Sequence, residues 1–329
     1  MKWSFHPITQ FSDFREDWKK LNLAGPKTPL LDLRFVEPCI EFFSSGSEKI
    51  AVCQVDKGII AIAIIFRKKM GSWETFQASQ SPLGYWLHDS SYSIDELLDT
   101  LQTSIPGICL LFGITQQDPE LLVRPPPSKR LRTVDYIQTA KISIGSDWEA
   151  YWSGRGKNLR HNLNKQRNRL NKAGIEMQVI EITSPEDMKD AVRQYGEIES
   201  AGWKQTAGTA VSISNAQGRF YTKLLGEFAT SNNARVYQLL LNGKVAAVDL
   251  CIDDGETFII LKTTYDETYN SSSPALLMRK VYFEEFFNHK RFKSIEFYGK
   301  VMEWHKKWSS NFRQMYHVNY LSRFISKFK

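Results

Sequence analysis

Residues 261–277 combine a side chain that could bind an anion with one that could transfer a proton. Lys262 interrupts an apolar strand, where a buried ammonium group needs an anionic partner. Tyr265 follows it and could hydrogen-bond a substrate or protonate a leaving group. We therefore interpret Lys262 as the partner of a phosphate, a carboxylate or an oxyanion.

The same segment predicts the start of a helix. Ser273 as the N-cap and Pro274 at the first helical position precede apolar residues at helical spacing that continue to Phe286. A helix start leaves backbone N–H groups unpaired, and these attract phosphate or a developing oxyanion. An ordinary connection between a strand and a helix is the alternative interpretation.

Two carboxylates stand in elements that are otherwise largely apolar. Glu199 lies in a predicted helix over residues 195–203, where it could orient or deprotonate an ammonium substrate. Trp203 ends that helix and is either a pocket wall or a core residue. Asp249 interrupts the apolar strand 245–252, so its side chain faces either a cleft or solvent.

The composition is that of a globular protein with acidic partners. Lys and Arg number 43 against 36 Asp and Glu, which favours phosphorylated cofactors, nucleic acid or anionic lipid head groups as ligands. No apolar run approaches membrane-spanning length. Because the four cysteines are scattered and the six histidines lack metal-ligand spacing, we expect reduced thiols, a cytoplasmic location and no metal.

The chain contains a pattern that occurs twice. Two apolar hairpins, over residues 49–66 and 236–252, turn at Asp56-Lys57-Gly58 and at Asn242-Gly243. Each is followed by a strand, a helix and another strand, which predicts two tandem copies of one mixed α/β unit. We place the two domains at residues 1–140 and 141–329.

The second domain opens with a basic region over residues 146–172. Apolar residues at spacings of four and seven predict helix, either as two helices or as one kinked at Gly154 and Gly156. The other faces carry Arg155, Lys157, Arg160, Lys165, Arg167, Arg169 and Lys172. A solvated surface and a binding site for a polyanion are both compatible with this pattern.

Two further segments mix basic and aromatic residues. Residues 304–308 could hold a nucleotide or a glycan, or could form a solvated helix with one buried face. Residues 320–329 read as a short basic amphipathic helix that either packs on its own domain or makes peripheral contact with a membrane.

Four motifs are spread over the second domain. They are Ser153 with Lys157, Leu159 and Arg160; Glu199 with Trp203 and Lys204; Lys262 with Tyr265, Asp266, Tyr269, Ser273 and Pro274; and Glu296-Phe297 with residues 304–308. In this combination the chain resembles the BioF2-like acetyltransferase family, also described as CelD/BcsL-type. Ala275 stands where that family has a glycine after Ser-Pro.

The resemblance implies a GNAT acyltransferase fold with two tandem GNAT-like halves, each a mostly antiparallel twisted sheet flanked by helices, as in FemABX transferases. It implies transfer of an acyl group from acyl-CoA, or from a thioester on an acyl carrier protein, to an amine of an amino sugar, amino acid or other small biosynthetic intermediate. With the residue types, it indicates Glu199, Asp249, Lys262 and Tyr265 as catalytic. The expected substrate and donor contacts are Lys157, Arg160, Trp203, Lys204, Tyr269, Ser273, Trp304, Lys306 and Trp308.

Two other functions are compatible with the sequence. The basic region is the feature that a FemABX-like transferase would use to bind aminoacyl-tRNA. A non-catalytic tandem protein that binds its partner through the same basic surface is the second alternative.

Overall fold

The computed structural model describes residues 1–56, 58–201 and 211–327. The chain divides into two compact units, Met1–Gln138 with Arg313–Lys329 as unit 1, and Thr139–Phe312 as unit 2. The domain bounds 1–140 and 141–329 stay a prediction. The C-terminal segment joins unit 1 as a strand of that unit's sheet.

The strands and helices of the described ranges are numbered in chain order. The strands are β1 (Lys2–Pro7), β2 (Lys49–Val55), β3 (Gly58–Lys69), β4 (Gly71–Thr75), β5 (Trp86–His88), β6 (Cys109–Gln117), β7 (Leu131–Ser143), β8 (Met177–Ile182), β9 (Ala234–Leu241), β10 (Lys244–Asp253), β11 (Thr257–Tyr265), β12 (Ser294–Phe297) and β13 (Asn311–Leu321). The helices are α1 (Arg15–Ala24), α2 (Leu33–Phe43), α3 (Ile94–Ser104), α4 (Trp148–Ser153), α5 (Lys157–Lys172), α6 (Met188–Ala201), α7 (Ala216–Ala229), α8 (Pro274–His289) and α9 (Glu303–Trp308).

Unit 1 is built on a sheet with the strand order β1-β2-β3-β4-β6-β13, and β5 pairs with β3. Its pairings are antiparallel except that between β4 and β6, which is parallel and needs the crossover through α3. The predicted hairpin joins β2 to β3, and Gly58 has the positive φ that its turn requires. Lys57 of that turn lies outside the described residues.

Unit 2 contains the sheet order β12-β11-β10-β9-β8, with residues 140–143 of β7 paired to β12. Asn242 and Gly243 both have positive φ, as the predicted two-residue hairpin turn demands. Neighbouring residues on β9 point to opposite faces. Tyr237 stacks on Tyr282 of α8, while on the other face the Gln238 side-chain amide donates a hydrogen bond to the Gln194 side chain of α6. Helices therefore cover both faces of this sheet.

The same succession of elements occurs in both units. An antiparallel meander, β2-β3-β4 or β9-β10-β11, is followed by a helix and then by a strand parallel to the last meander strand. The predicted tandem mixed α/β fold is confirmed. The basic region forms two helices, α4 and α5, separated at the predicted glycines.

Our prediction of a C-terminal amphipathic helix was wrong. Residues 311–321 form β13, and a short 3-10 turn follows at Ile325–Lys327. Tyr316, Val318 and Tyr320 are buried in alternation, which is the period of a strand on a half-buried face. No helix in the described ranges has both the length and the apolar character needed to cross a membrane.

Candidate functional site

A cleft of about 350 Å³ lies in unit 2 at the C-terminal end of β11. Its walls come from α6, the end of β11, the loop before α8, the first turns of α8, and α9. Four of the predicted site residues line it: Glu199, Tyr265, Ser273 and Trp304. The segment singled out from the sequence therefore borders a cavity.

The cleft exists because β11 extends beyond the end of its pairing with the parallel strand β12. Pairing runs from Thr257↔Ser294 to Ile259↔Glu296, whereas β11 continues to Tyr265. A β-bulge places Leu250 opposite Lys262 and Cys251 opposite Ile260, so Leu261 is an extra residue. Residues 260–265 of β11 therefore lie beyond its described pairing with β12, on the strand edge that borders the gap.

Glu199 forms one wall and is held in a fixed position. Its side chain is 3% exposed, and its carboxylate accepts hydrogen bonds from the Tyr195 hydroxyl at 3.1 Å and the Val211 N–H at 2.7 Å. The Tyr195 hydroxyl also lies 3.1 Å from the Thr263 carbonyl oxygen on β11. Burial and the nearby Glu199 charge raise the pKa of Tyr195 well above its usual value, so this hydroxyl stays protonated.

Asp249 lies behind the cleft and not in its lining. It is fully buried and accepts two bonds from Arg279, at 2.8 Å from Nε and 2.7 Å from Nη2, and one from the Tyr282 hydroxyl at 2.8 Å. Arg279 also donates to the Thr263 hydroxyl. With its oxygens occupied in this way, Asp249 positions Arg279, which itself lines the cleft.

Trp304 and His305 close the Arg279 side of the cleft. The Arg279 guanidinium carbon lies 4.3 Å from the centroid of the Trp304 ring, which in turn stacks on His305 at 3.6 Å. The Nδ1 atom of His305 accepts the Met302 N–H at 2.9 Å. Burial and the Arg279 charge lower the pKa of His305 to about 4, so the ring is neutral near neutral pH.

The start of α8 separates this cleft from a second one of about 330 Å³. Ser273 is the N-cap residue, as predicted, but among the described residues its hydroxyl makes no capping bond; its φ of 52° places it in the left-handed region. Arg169 of α5 donates to the hydroxyls of Ser271 and Ser272 at 3.0 and 2.8 Å and so fixes the loop. Both clefts are lined by Ser273, Leu276 and Lys307.

The second cleft is basic. Lys306 and Lys307 line it from α9, facing the first turn of α5 and the start of α8. Lys306 is held by Glu303 at 2.6 Å. Two helix N-termini and two lysines, set against the carboxylate of Glu303 in the same lining, favour an anion such as phosphate here.

Other predicted residues lie away from both linings. Lys262 lies with its Nζ 6.0 Å from the centroid of the Tyr221 ring, Arg160 donates to the Arg155 carbonyl, and Trp308 is fully buried in the core. Lys157 is exposed at the start of α5, and Tyr269 packs against the core. Trp203 and Lys204 lie outside the described residues.

Three residues at the cleft, Tyr195, Thr263 and Arg279, were not selected from the sequence. Arg279 carried a readable signal, because it is a charged residue among the buried positions Leu277, Met278 and Tyr282 of one helix. Asp249 is the opposite charge inside an apolar strand, and the two together predict a buried pair. Tyr195 and Thr263 are common residue types whose role depends on the tertiary structure.

The described residues contain no group of three or more His, Cys, Asp or Glu side chains arranged to hold a metal ion. All four cysteines are buried free thiols. Burial raises the pKa of Cys39 to about 12 and that of Cys53 to about 11, which keeps both thiols protonated.

Residues 157–306 match a family model described as an acetyltransferase (GNAT) domain. The structure of FemX superposes with a TM-score of 0.61 at 9% identity, covering 99% of this chain and 98% of FemX. L-PGS from Bacillus licheniformis gives 0.54 at 13% identity over 95% and 94%. A protein of unknown function from Bacteroides thetaiotaomicron gives 0.53 at 11% identity over 98% and 100%.

At these identities, the likeness to the three structures concerns the fold. No curated protein sequence matches the chain significantly. The matched domain begins at α5 and ends in α9, so it contains most of the residues that line the two clefts.

Proposed function

We propose, on the premise that the chain is an acyltransferase with a GNAT acetyltransferase domain at residues 157–306, that it transfers an acyl group from a thioester to an amine. The observation that supports this best is the gap between β11 and β12 beside Glu199. An extended thioester donor fits such a gap, because the unpaired strand offers it backbone hydrogen bonds. Glu199 is then the carboxylate that meets the incoming amine.

In the proposed reaction, the amine nitrogen attacks the carbonyl carbon of the thioester, the new C–N bond forms and the C–S bond breaks. Glu199 takes the ammonium proton, directly or through one water molecule. Tyr195 donates a hydrogen bond to Glu199 and orients it. Tyr265, which is 38% exposed at the end of β11, protonates the departing thiolate.

Backbone N–H groups of β11 along the gap stabilise the oxyanion of the tetrahedral intermediate. Lys262 contributes positive charge from the same strand. Its side chain lies on the face of the sheet that packs against Tyr221 of α7. Asp249 acts through Arg279 in this scheme and does not touch the reacting atoms.

The second cleft would hold the phosphates of the donor. Lys306 and Lys307 supply charge, and the starts of α5 and α8 supply N–H groups, for the phosphates of acyl-CoA or of a carrier-bound phosphopantetheine. Because Ser273 and Leu276 line both clefts, a donor with its phosphates in the second cleft can reach the first with its thioester.

The activity is tested by supplying acetyl-CoA or longer acyl-CoA with a panel of amines that includes glucosamine and free amino acids. We expect thiol release above the hydrolysis background for at least one pair, and a product heavier by the acyl group in the mass spectrum. Absence of an acylated product with acyl-CoA, acyl carrier protein and aminoacyl-tRNA donors would refute the proposal.

Aminoacyl-tRNA as the donor is the second candidate. Exposed basic residues of α5, among them Lys157, Lys165, Arg167 and Lys172, form a surface suited to a polyanion. If tRNA is the donor, its binding weakens steeply with salt and tRNA protects the protein against heat. If acyl-CoA is the donor, CoA protects and tRNA does not.

The subfamily, the cellular setting and the partner of this enzyme are part of the same proposal. The motifs at Lys262, Tyr265 and Ser273 support the BioF2-like branch of the GNAT superfamily. A cytoplasmic biosynthetic enzyme is the setting we propose, with an acyl carrier protein as the partner if the donor is carrier-bound. A peripheral membrane contact would have to involve a surface other than the C-terminal helix that we predicted.

A further inference from the structure

Arg279 presents a positive charge to the cleft while its counter-ion lies behind it. The Arg279 side chain is 2% exposed and lines the cleft, whereas Asp249 is fully buried and does not. Asp249 holds the edge of the guanidinium formed by Nε and Nη2. Within the described residues no hydrogen bond leaves from Nη1, so this nitrogen is the one available to a ligand.

The position of this guanidinium is set from several sides. Asp249 fixes its plane, the Thr263 hydroxyl accepts from Nη2, and the Trp304 ring covers one face at 4.3 Å. Replacing a buried ion pair by apolar residues of similar volume often leaves a protein as stable or makes it more stable. Stability alone therefore does not account for the pair of Arg279 and Asp249. A rigid, desolvated guanidinium is instead suited to binding a planar anion.

The opposite wall carries the opposite charge. Glu199 lies on α6, and Tyr195 connects it to the Thr263 carbonyl, while Arg279 contacts the hydroxyl of the same threonine. An ammonium group near Glu199 and an anionic group near Arg279 would therefore flank one residue of β11. Lys307 adds a second cation to the cleft lining.

We propose that Arg279 binds a carboxylate carried by one of the two reactants. The inference rests on the proposed acyl transfer for the identity of the cleft. The carboxylate has two chemical sources, an acceptor that is an α-amino acid or an acyl group derived from a dicarboxylic acid. In either case Arg279 selects the reactant and positions it against the gap between β11 and β12.

The test has one arm for each source and begins with the unaltered protein. The acceptor arm compares free amino acids with their amides, and the donor arm compares succinyl-CoA with butyryl-CoA, each by calorimetric binding and by thiol release. We expect at least one arm to favour the carboxylate by roughly tenfold to a hundredfold. If the members of every pair agree within about twofold in binding and in transfer, the inference is wrong, whether or not transfer occurs.

Variants then assign the preference to Arg279. Replacing Arg279 alone leaves the buried Asp249 charge without its cation, so the double variant Arg279→Gln, Asp249→Asn is used and its folding checked by circular dichroism. Loss of the carboxylate preference, with carboxylate-free analogues retained, supports the inference. The matched control is Arg193→Gln, an exposed arginine of α6 paired with Asp190 and Glu197. A preference that survives in the double variant refutes the role of Arg279.

If no donor and amine give an acylated product but carboxylate binding depends on Arg279, the proposed reaction fails and the anion site stands. If transfer occurs without any carboxylate preference, the reaction stands and the anion site fails.

Discussion

The two units share a topology but differ at the point where the pairing between the last meander strand and its parallel partner ends. In unit 2, β11 continues past its last pair with β12 and a cleft opens. In unit 1, β4 and β6 pair as far as Glu74↔Gly113, and the next side chains bridge the strands. The Thr75 and Thr115 hydroxyls lie 2.8 Å apart, and the Thr115 N–H donates to the Thr75 hydroxyl at 2.9 Å.

The loop after β4 completes the closure in unit 1. Gly84 packs so tightly there that a Cβ atom would lie 2.2 Å from the Thr115 hydroxyl oxygen. Gln77 donates to the Gln116 side chain at 2.9 Å across the same strands. The topology alone therefore does not open a cleft, since the side chains at the two strand ends decide whether the gap is open.

The largest expected effects concern a buried ion pair that each unit contains. Asp249 pairs with Arg279 in unit 2, and Asp118 pairs with Arg313 in unit 1, with Asp118 1% exposed. Asp249→Ala and Asp118→Ala should each lower the free energy of unfolding by about 3–5 kcal/mol, because each removes the carboxylate that neutralises a guanidinium whose side chain is at most 9% exposed. Urea denaturation measures both losses.

The two units should differ in activity. At a temperature where both variants are folded, we expect Asp249→Ala to abolish the preference of acyl transfer for carboxylate-bearing reactants and Asp118→Ala to retain it. Equal losses of this preference would mean that the two pairs do not differ in their relation to the site.

A comparably large effect is expected at Glu199. Glu199→Gln should lower kcat about 100-fold or more, because the amide cannot accept the ammonium proton. Thr115→Val, in the closed gap of unit 1, should leave kcat within about twofold. Glu197→Gln is the matched control, since that residue is an exposed carboxylate on the same helix with a side chain 61% exposed. A loss at Thr115 as large as that at Glu199 would contradict the assignment of the site to unit 2.

The contrast between the units also explains what could be predicted from the sequence. The paired hairpins and the Ser273-Pro274 helix start are local patterns, and both were found. The helix predicted over residues 320–329 was wrong because that segment contains only the last two residues of β13, too few to show the alternation of Tyr316, Val318 and Tyr320. The opening of one gap and the closing of the other depend on the contact of Thr75 with Thr115, which are distant in the chain.

A smaller effect tests the closure of unit 1 directly. Gly84→Ala should destabilise the protein by about 1–3 kcal/mol, because the new Cβ would lie 2.5 Å from the Thr115 carbonyl oxygen and a backbone atom cannot move aside. The control is Gly226→Ala in α7, where a Cβ meets nothing within 4 Å and alanine favours the helix. Thermal unfolding compares the two, and a Gly84→Ala variant as stable as the unaltered protein would show that the gap in unit 1 tolerates opening.

The smallest expected effect is a dependence of stability on pH, to which one histidine in each unit should contribute in the same direction. Each unit has a histidine with limited exposure, half-buried His88 in unit 1 and buried His305 in unit 2, and desolvation lowers the pKa of each to about 4. The unfolded rings bind a proton below about pH 6.5, so between pH 6.5 and 4 the unfolded state holds more protons than the folded state. The free energy of unfolding should therefore be greatest above pH 6.5 and fall as the pH is lowered towards 4.

Each histidine should contribute about 1–2 kcal/mol to this fall, somewhat less than the full pKa difference allows, because water reaches part of each ring. His88→Asn and His305→Asn keep an acceptor in place of Nδ1, for the Trp86 indole N–H and the Met302 N–H respectively. Denaturation at pH 7 and at pH 4.5 should show a reduced pH dependence in each variant and a nearly additive reduction in the double variant. A pH dependence unchanged by His305→Asn would mean that the folded ring binds a proton as readily as the unfolded ring. That result would contradict the lowering of the His305 pKa by burial and by the positive charge of Arg279.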